Sequence, residues 1–260
     1  MFNSFHTNLQ QRGTMDLHQE LAVIILAAGK GTRMKSDKAK VLHLVSGKTM
    51  VSHVVDCAVK IAGDNVHVVI GHQAEEVKKE ITQFFNVKFA LQTQLLGTGD
   101  AVKSAIPDLG QEVKHVLVLC GDVPLIQEST LKYLVAQHIT HNNQITVLAT
   151  DIENPAGYGR IVFKDTGQMK CIREEADASD DEKKIKKVNT GIYCFEKQLL
   201  ISAINDLKPD NNQAEYYLTD VIEIAQKKQE KIGVVTMSDH RQVMGVNTLE
   251  DLETVQSLIL

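Results

Sequence analysis

The sequence predicts an α/β protein built on a mixed, mainly parallel sheet. Two observations carry that expectation. Short apolar runs alternate with amphipathic segments over the first 143 residues, and the connections are short. Beyond residue 143 the apolar runs are separated by turns, which reads as a mixed extension of the sheet. In order, "LAVIIL" (21–26), "VHVVI" (66–70), "VKFALQ" (87–92) and "HVLVLC" (115–120) read as buried strands. Between them, "TMVSHVVDCAVKIAG" (49–63) is a helix closed by Gly63. "QAEEVKKEITQFF" (73–85) carries Val77, Ile81 and Phe84 at helical spacing, and "GTGDAVKSAI" (97–106) is a helix followed by Pro107. His138 and His141 lie i, i+3 on a further helix without an evident third ligand, so they read as packing or surface residues. "QITVLAT", "GRIVFK", "QMKCIREE" and "KKVNTGIYCF" then read as strands, "DASDDEKKIKK" as a solvated charge run, and helices are expected at 213–229 and 240–258.

A chain of 260 residues buries a sizeable core, as one large α/β domain or two small ones. It shows neither an internal repeat nor a Pro/Gly linker. It therefore reads as a polar, mobile tail over residues 1–19 and one domain over 20–260, with halves 20–143 and 144–260. The net charge of −5 and pI near 6.1 lack the basic excess of a nucleic-acid-binding domain. The longest apolar stretch, Leu21 to Ala28, is too short to span a bilayer, and the N-terminus has no apolar signal region. Cys57, Cys120, Cys171 and Cys194 are scattered, as expected of reduced core residues in a cytoplasmic protein. The oligomeric state is left open.

The run 21–26 breaks into a Gly-rich turn, "AAGKGTRMK". A phosphate-binding P-loop requires a second Gly where Met34 stands. A dinucleotide fingerprint requires a third Gly for close helix–strand packing, and Met34 replaces that one too. The chemistry that follows the turn is cationic: Thr32 is followed by Arg33, Lys35, Lys38 and Lys40. Backbone N–H groups with Arg and Lys make a polyphosphate cradle.

"LAAGKGTRMKSDKAKVLH" (26–43) resembles the L-A-A-G-x-G-T-R-M-x(5)-K-V-L signature of the sugar-1-phosphate nucleotidyltransferases. It is most similar to the uridylyltransferase domain of the bacterial N-acetylglucosamine-1-phosphate uridylyltransferases. "LQTQLLGTGDA", "GDVPL", "GYGRI", "VNTGIY", "AEYYLTD" and "GVNTLEDL" follow in the family's order, so the resemblance covers roughly residues 20 to 255. It implies a three-layer, Rossmann-like nucleotide-diphospho-sugar transferase fold, with nucleotide bound by the first half and sugar by the second. The implied reaction is Mg²⁺-dependent transfer of UMP from UTP to N-acetylglucosamine 1-phosphate. Its products are UDP-N-acetylglucosamine, a precursor of peptidoglycan and lipopolysaccharide, and pyrophosphate.

The resemblance also implies roles. Leu26, Ala27, Ala28 and Gly29 would hold the nucleotide through backbone groups, and Gln92, Gly97 and Thr98 would read uracil. An amide's donor and acceptor suit the uracil edge. Arg33 and Lys40 would bind phosphates. Asp122 and Asn247 would bind Mg²⁺, which takes only one or two protein oxygens beside phosphate and water. Cys120, Gly121, Gly159, Glu174, Asn189, Tyr217 and Thr219 would form the sugar subsite. Glu175 beside Glu174 leaves open which of the two points inward. Four departures stand out: Ala39 where the family has Pro, which is expected to loosen the loop; Cys120 where Tyr is frequent; Leu95 for Gln; and Ala176 for a basic residue. Bifunctional members carry a second, hexapeptide-repeat domain for acetyl transfer and trimer assembly. That pattern is missing from these 260 residues, so this chain is expected to lack acetyl transfer. Two alternatives remain at this stage: another sugar phosphate, nucleotide or cofactor precursor as substrate, or a non-catalytic nucleotide-sugar sensor.

Overall fold

The computed structural model describes residues 18–259. The expected N-terminal tail lies almost wholly outside them. Among the described residues there are eleven strands: β1 (Leu21–Leu26), β2 (Leu44–Val45), β3 (Lys48–Thr49), β4 (Val66–Ile70), β5 (Lys88–Leu91), β6 (His115–Cys120), β7 (Ile145–Asp151), β8 (Arg160–Phe163), β9 (Met169–Arg173), β10 (Lys187–Glu196) and β11 (Ile232–Met237). The α-helices are α1 (Met50–Ala62), α2 (Ala74–Thr82), α3 (Thr98–Ala105), α4 (Glu128–Thr140), α5 (Lys197–Asn205), α6 (Asp220–Lys227) and α7 (Leu249–Ser257).

A nine-stranded sheet runs in the order β11-β7-β10-β6-β1-β4-β5, with β8 and β9 branching from β10. β1 pairs in parallel with β4 and β6, β4 with β5, and β7 with β11. Along that path β10 alone runs against its neighbours. The sheet is thus mixed and mainly parallel, as the apolar runs predict.

Side chains of β1 alternate between two cores. Leu21, Val23 and Ile25 pack with α1, α2 and α4, whereas Ala22 and Ile24 pack with α3, α5 and α6. Helices cover both faces, giving three layers, and this is why β1 is apolar at every position. Chain order reverses at β1: β4 and β5 lie on one side, and the chain crosses back to place β6 on the other. The carboxyl ends of β1 and β6 therefore flank a topological switch point, where open α/β sheets bind ligands.

Several elements depart from the sequence reading. Phe84 lies past the end of α2 and is 68% exposed, while Phe85 packs against the core instead. The helix expected at 213–229 begins at Asp220. Ala214 has φ +52°, and Tyr216 is tied by backbone bonds to Leu96 and Gly99, which holds that stretch out of helical form. The helix expected at 240–258 begins at Leu249, because Val246 N donates to Asp122 O on the way. α5, β11 and the two-residue strands β2 and β3 were not expected. His138 is buried with Nδ1 3.0 Å from Thr146 Oγ1, and His141 caps α4, as the packing reading requires. The four cysteines are free. Among the described residues no helix is long and apolar enough to cross a membrane.

Candidate active site

The turn after β1 is fixed at both ends. Leu26 O accepts from Gly121 N, Ala27 N donates to Val69 O, and Ala28 O accepts from His72 N. Among the described residues, the N–H groups of Ala28, Gly29, Lys30 and Gly31 have no intramolecular acceptor. A run of free backbone donors in a turn is an anion cradle. Gly31 sits at φ +63°, and a Cβ there would stand 2.5 Å from Lys40 Cβ, so only glycine lets the two ends of the loop touch.

Met34 explains why the third glycine of a dinucleotide fingerprint is missing. It is 1% exposed and packs with Val45, Met50, Val246 and Val255. That contact brings the Gly-rich loop onto the C-terminal segment. The residues flanking the contact then meet: Arg33 Nη2 donates to Asn247 Oδ1 at 2.9 Å. Lys40 Nζ donates to Asn247 Oδ1 at 3.1 Å and makes a close ion pair with Asp122 Oδ2. Asp122, in the turn after β6, also accepts from Val246 N through its carbonyl at 2.9 Å. Arg33, Lys40, Asp122 and Asn247, distant in sequence, form one cluster at the switch point. Lys35 and Lys38 stay exposed and make no ion pair among the described residues.

Asn247 is aimed by a residue the sequence reading did not single out. Asp251 Oδ2 accepts from the backbone N of both Asn247 and Thr248 at 2.9 Å, and Thr248 Oγ1 accepts from Asp251 N at 3.1 Å. This is a capping box at the start of α7. The T-x-x-D spacing in "NTLED" was its sequence signal. Tyr158 is a second such residue. The half-buried ring brings its hydroxyl to the Gly245 backbone, and desolvation, with Asp251 and Asp122 nearby, raises its pKa.

The base-reading candidates are more occupied than expected. Gln92 Nε2 donates to Gly97 O at 3.0 Å and Asp100 Oδ2 at 2.7 Å. Two acceptors identify that end as the nitrogen and spend both of its hydrogens. The oxygen is what Gln92 has left to offer, rather than both a donor and an acceptor. Thr98 Oγ1 accepts from Leu218 N at 3.0 Å. Gly97, at φ +111°, packs so tightly on Tyr216 that a Cβ would stand 2.7 Å from its carbonyl oxygen.

The second group is contiguous. Glu174 Oε1 accepts from Thr219 Oγ1 at 3.0 Å, and a Cβ on Gly159 would lie 3.3 Å from Glu174 Oε2. Burial raises the Glu174 pKa, partly countered by the Thr219 bond. Glu175 points away: it pairs with Arg160 Nη2 at 2.7 Å and accepts from Gly157 N. Of the two carboxylates, Glu174 is the inward one. Asn189 donates its backbone N to Gly159 O, and its Oδ1 accepts from Gly191 N. Cys120 Sγ reaches Gly191 O at 3.5 Å, and burial pushes its thiol pKa up to about 12. Tyr217 donates to Gln213 Oε1 at 2.6 Å and lines, with Glu174, Asp177 and Asp220, a cavity of about 450 Å³ between β9 and α6.

Ala39, expected to loosen the loop, is instead tied to the residue that starts α2. It is 1% exposed, and its N–H donates to Gln73 Oε1 at 2.6 Å, a bond that proline could not make.

The nucleotidyl transferase family model matches residues 22–258. This chain belongs to that family. It is 46% identical over 240 residues to the bifunctional protein GlmU of Alkaliphilus oremlandii (strain OhILAs), covering 92% of this chain and 52% of that protein. Against the bifunctional protein GlmU of Clostridioides difficile (strain 630) the identity is 44% over 236 residues, covering 91% and 51%. This nucleotidyl transferase chain thus spans about half the length of the curated relatives it matches. A Bacillus anthracis crystal structure, described as a candidate glucose-1-phosphate thymidylyltransferase in complex with sucrose, matches with a TM-score of 0.70. Its 20% identity, over 92% of this chain and 94% of that one, shows a shared fold.

Proposed function

We propose that this chain transfers UMP from UTP to N-acetylglucosamine 1-phosphate, giving UDP-N-acetylglucosamine and pyrophosphate. The observation that carries the reading is the meeting of Arg33, Lys40, Asp122 and Asn247 beside a row of free backbone donors. Two polyanions must be brought together there. A pair of unit charges ~4 Å apart interacts by about 4 kcal/mol at an effective dielectric of 20, so local cations are the first requirement. Arg33 and Lys40 supply them. The nucleophile is a sugar phosphate oxygen, already anionic near neutral pH, so the chain needs to position it rather than deprotonate it.

A divalent cation fits the cluster. The carboxylate of Asp122 and the amide oxygen of Asn247 both accept from one ammonium, which stands in for a cation. Among the described residues there is no group of three His, Cys, Asp or Glu side chains that could hold a metal, so the remaining ligands would come from phosphate and water. Mg²⁺ held by Asp122 and Asn247 would supply charge neutralisation for the triphosphate. Lys40 would then turn from Asp122 to the phosphates. Glu174, Thr219, Asn189 and Gly159 present carboxylate, hydroxyl, amide and backbone groups suited to sugar hydroxyl and acetamido groups.

The test is pyrophosphate release with a panel of nucleoside triphosphates and sugar 1-phosphates, with and without Mg²⁺. UTP with N-acetylglucosamine 1-phosphate should be the preferred pair. Asp122→Ala and Lys40→Ala should each lower kcat by about 10²-fold or more while the protein stays folded. Preference for another pair reassigns the substrate, and near-normal turnover by both variants rejects the site.

A further inference from the structure

Residues 35–39 carry the chain from the phosphate cradle to Lys40, and they are mostly exposed. Among the described residues, their backbone is held locally by Lys35 N to Thr32 O, Lys38 N to Ser36 Oγ and Leu42 N to Ala39 O, with the His43 ring against the Lys38 backbone. Among the described residues, one side chain bonds this stretch to a segment outside residues 31–43. Gln73 Oε1 accepts from Ala39 N at 2.6 Å, and Gln73 Nε2 donates to Asp37 O at 2.6 Å. The two bonds straddle Lys38 and fix the peptide that leads into Lys40.

Gln73 has a firm base for this. The preceding residues are fastened to the cradle: His72 N donates to Ala28 O, and a Cβ on Gly71 would stand 2.9 Å from Ala28 Cβ. Gln73 itself adopts a left-handed φ of +51° at the N-cap of α2, which turns its side chain from the helix start toward the loop. Ala39, with φ −52° and ψ 134°, holds a proline-compatible conformation, yet it keeps an N–H for Gln73 to accept.

We propose that Gln73 is the positioning residue of the Lys40 loop. It sets the ammonium against the reacting phosphates without touching substrate itself. This rests on Lys40 serving the phosphates, as proposed above.

Gln73→Ala and Gln73→Gly both delete the clamp, while only the glycine variant relieves the left-handed backbone. Both should lower kcat/KM for UTP by about 10- to 100-fold. Gln73→Glu, which keeps the acceptor for Ala39 N–H and loses the donor to Asp37 O, should fall between them and the parent. In a Lys40→Ala background, Gln73→Ala should cost nothing further. Amide hydrogen exchange of the peptide covering 35–42 should quicken in Gln73→Ala while exchange in β1 and β6 stays unchanged. Exchange needs no substrate, so it tests the clamp even if Lys40 serves another reaction. Unchanged exchange overturns the clamp. An equal loss with and without Lys40, or a loss in the alanine variant alone, overturns the positioning role.

Discussion

At the scale of single residues, the site depends on contacts that tolerate no extra atom. Adding a methyl group to Gly31 would force its Cβ to within 2.5 Å of Lys40 Cβ at a φ of +63°. Lys40 Cβ is anchored to the backbone and cannot swing aside as a side-chain tip would. Gly31→Ala should therefore cost about 1–3 kcal/mol of stability and displace the ammonium. Urea denaturation and pyrophosphate release check the two effects, and an alanine variant with full kcat removes Gly31 from the positioning of Lys40. Much at this scale was legible. The glycines, Arg33, Lys40, Asp122 and Asn247 were singled out from the sequence, and the structure brings them together. Their use was less legible. That Gln92 spends its amide nitrogen on Asp100 depends on how the loop between them folds, and spacing does not encode that. Glu174 and Glu175 are equivalent in sequence. Only the pairing of Glu175 with buried Arg160 turns one carboxylate out and the other in.

At the scale of elements, α7 ties local sequence to site geometry. Its capping box satisfies the helix's first backbone donors and, through Asp251 Oδ2, holds the backbone of Asn247. Asp251→Ala should cost about 1 kcal/mol, the usual value of an N-cap interaction. It should also weaken binding of Mn²⁺, used as a spectroscopic probe for the proposed Mg²⁺ position. Asp251→Asn, which keeps an acceptor oxygen, should recover most of both losses; Mn²⁺ affinity unaffected by Asp251→Ala would separate the cap from the site. β1, β4 and β6 were legible because both their faces are buried. α5 was not, because β10 passes straight into it with Glu196 as both last strand residue and N-cap, without Gly or Pro to mark the change. β11 was masked by Gly233, which normally weakens a strand. There the glycine admits Asn143, whose Nδ2 would lie 2.2 Å from a Cβ.

At the scale of the whole molecule, one sheet serves two ends differently. The carboxyl ends of β1 and β6 carry the charged cluster, and at the opposite end of β6 the half-buried His115 meets the buried His138 of α4. His115 packs edge-on against His138, with ring centroids 5.1 Å apart. Burial lowers the His138 pKa to about 3 and, elsewhere in the core, that of His67 to about 4. A histidine held neutral in the fold regains its ordinary pKa of 6.5 on unfolding. Below that pH the unfolded chain binds more protons, so stability falls as pH drops. The loss begins near pH 6.5 and continues until the folded values, about 4 for His67 and about 3 for His138, are passed. Within that window each such histidine steepens the dependence by up to about 1.4 kcal/mol per pH unit. His138→Gln cannot titrate and keeps a hydrogen-bonding group for Thr146, so its urea stability should fall less steeply than the parent's between pH 6 and 4.5. Because His138 lies at the far end of the sheet from Lys40, kcat at pH 7.5 should be unchanged. Equal slopes for variant and parent would show that His138 does not set the acid limit of this fold.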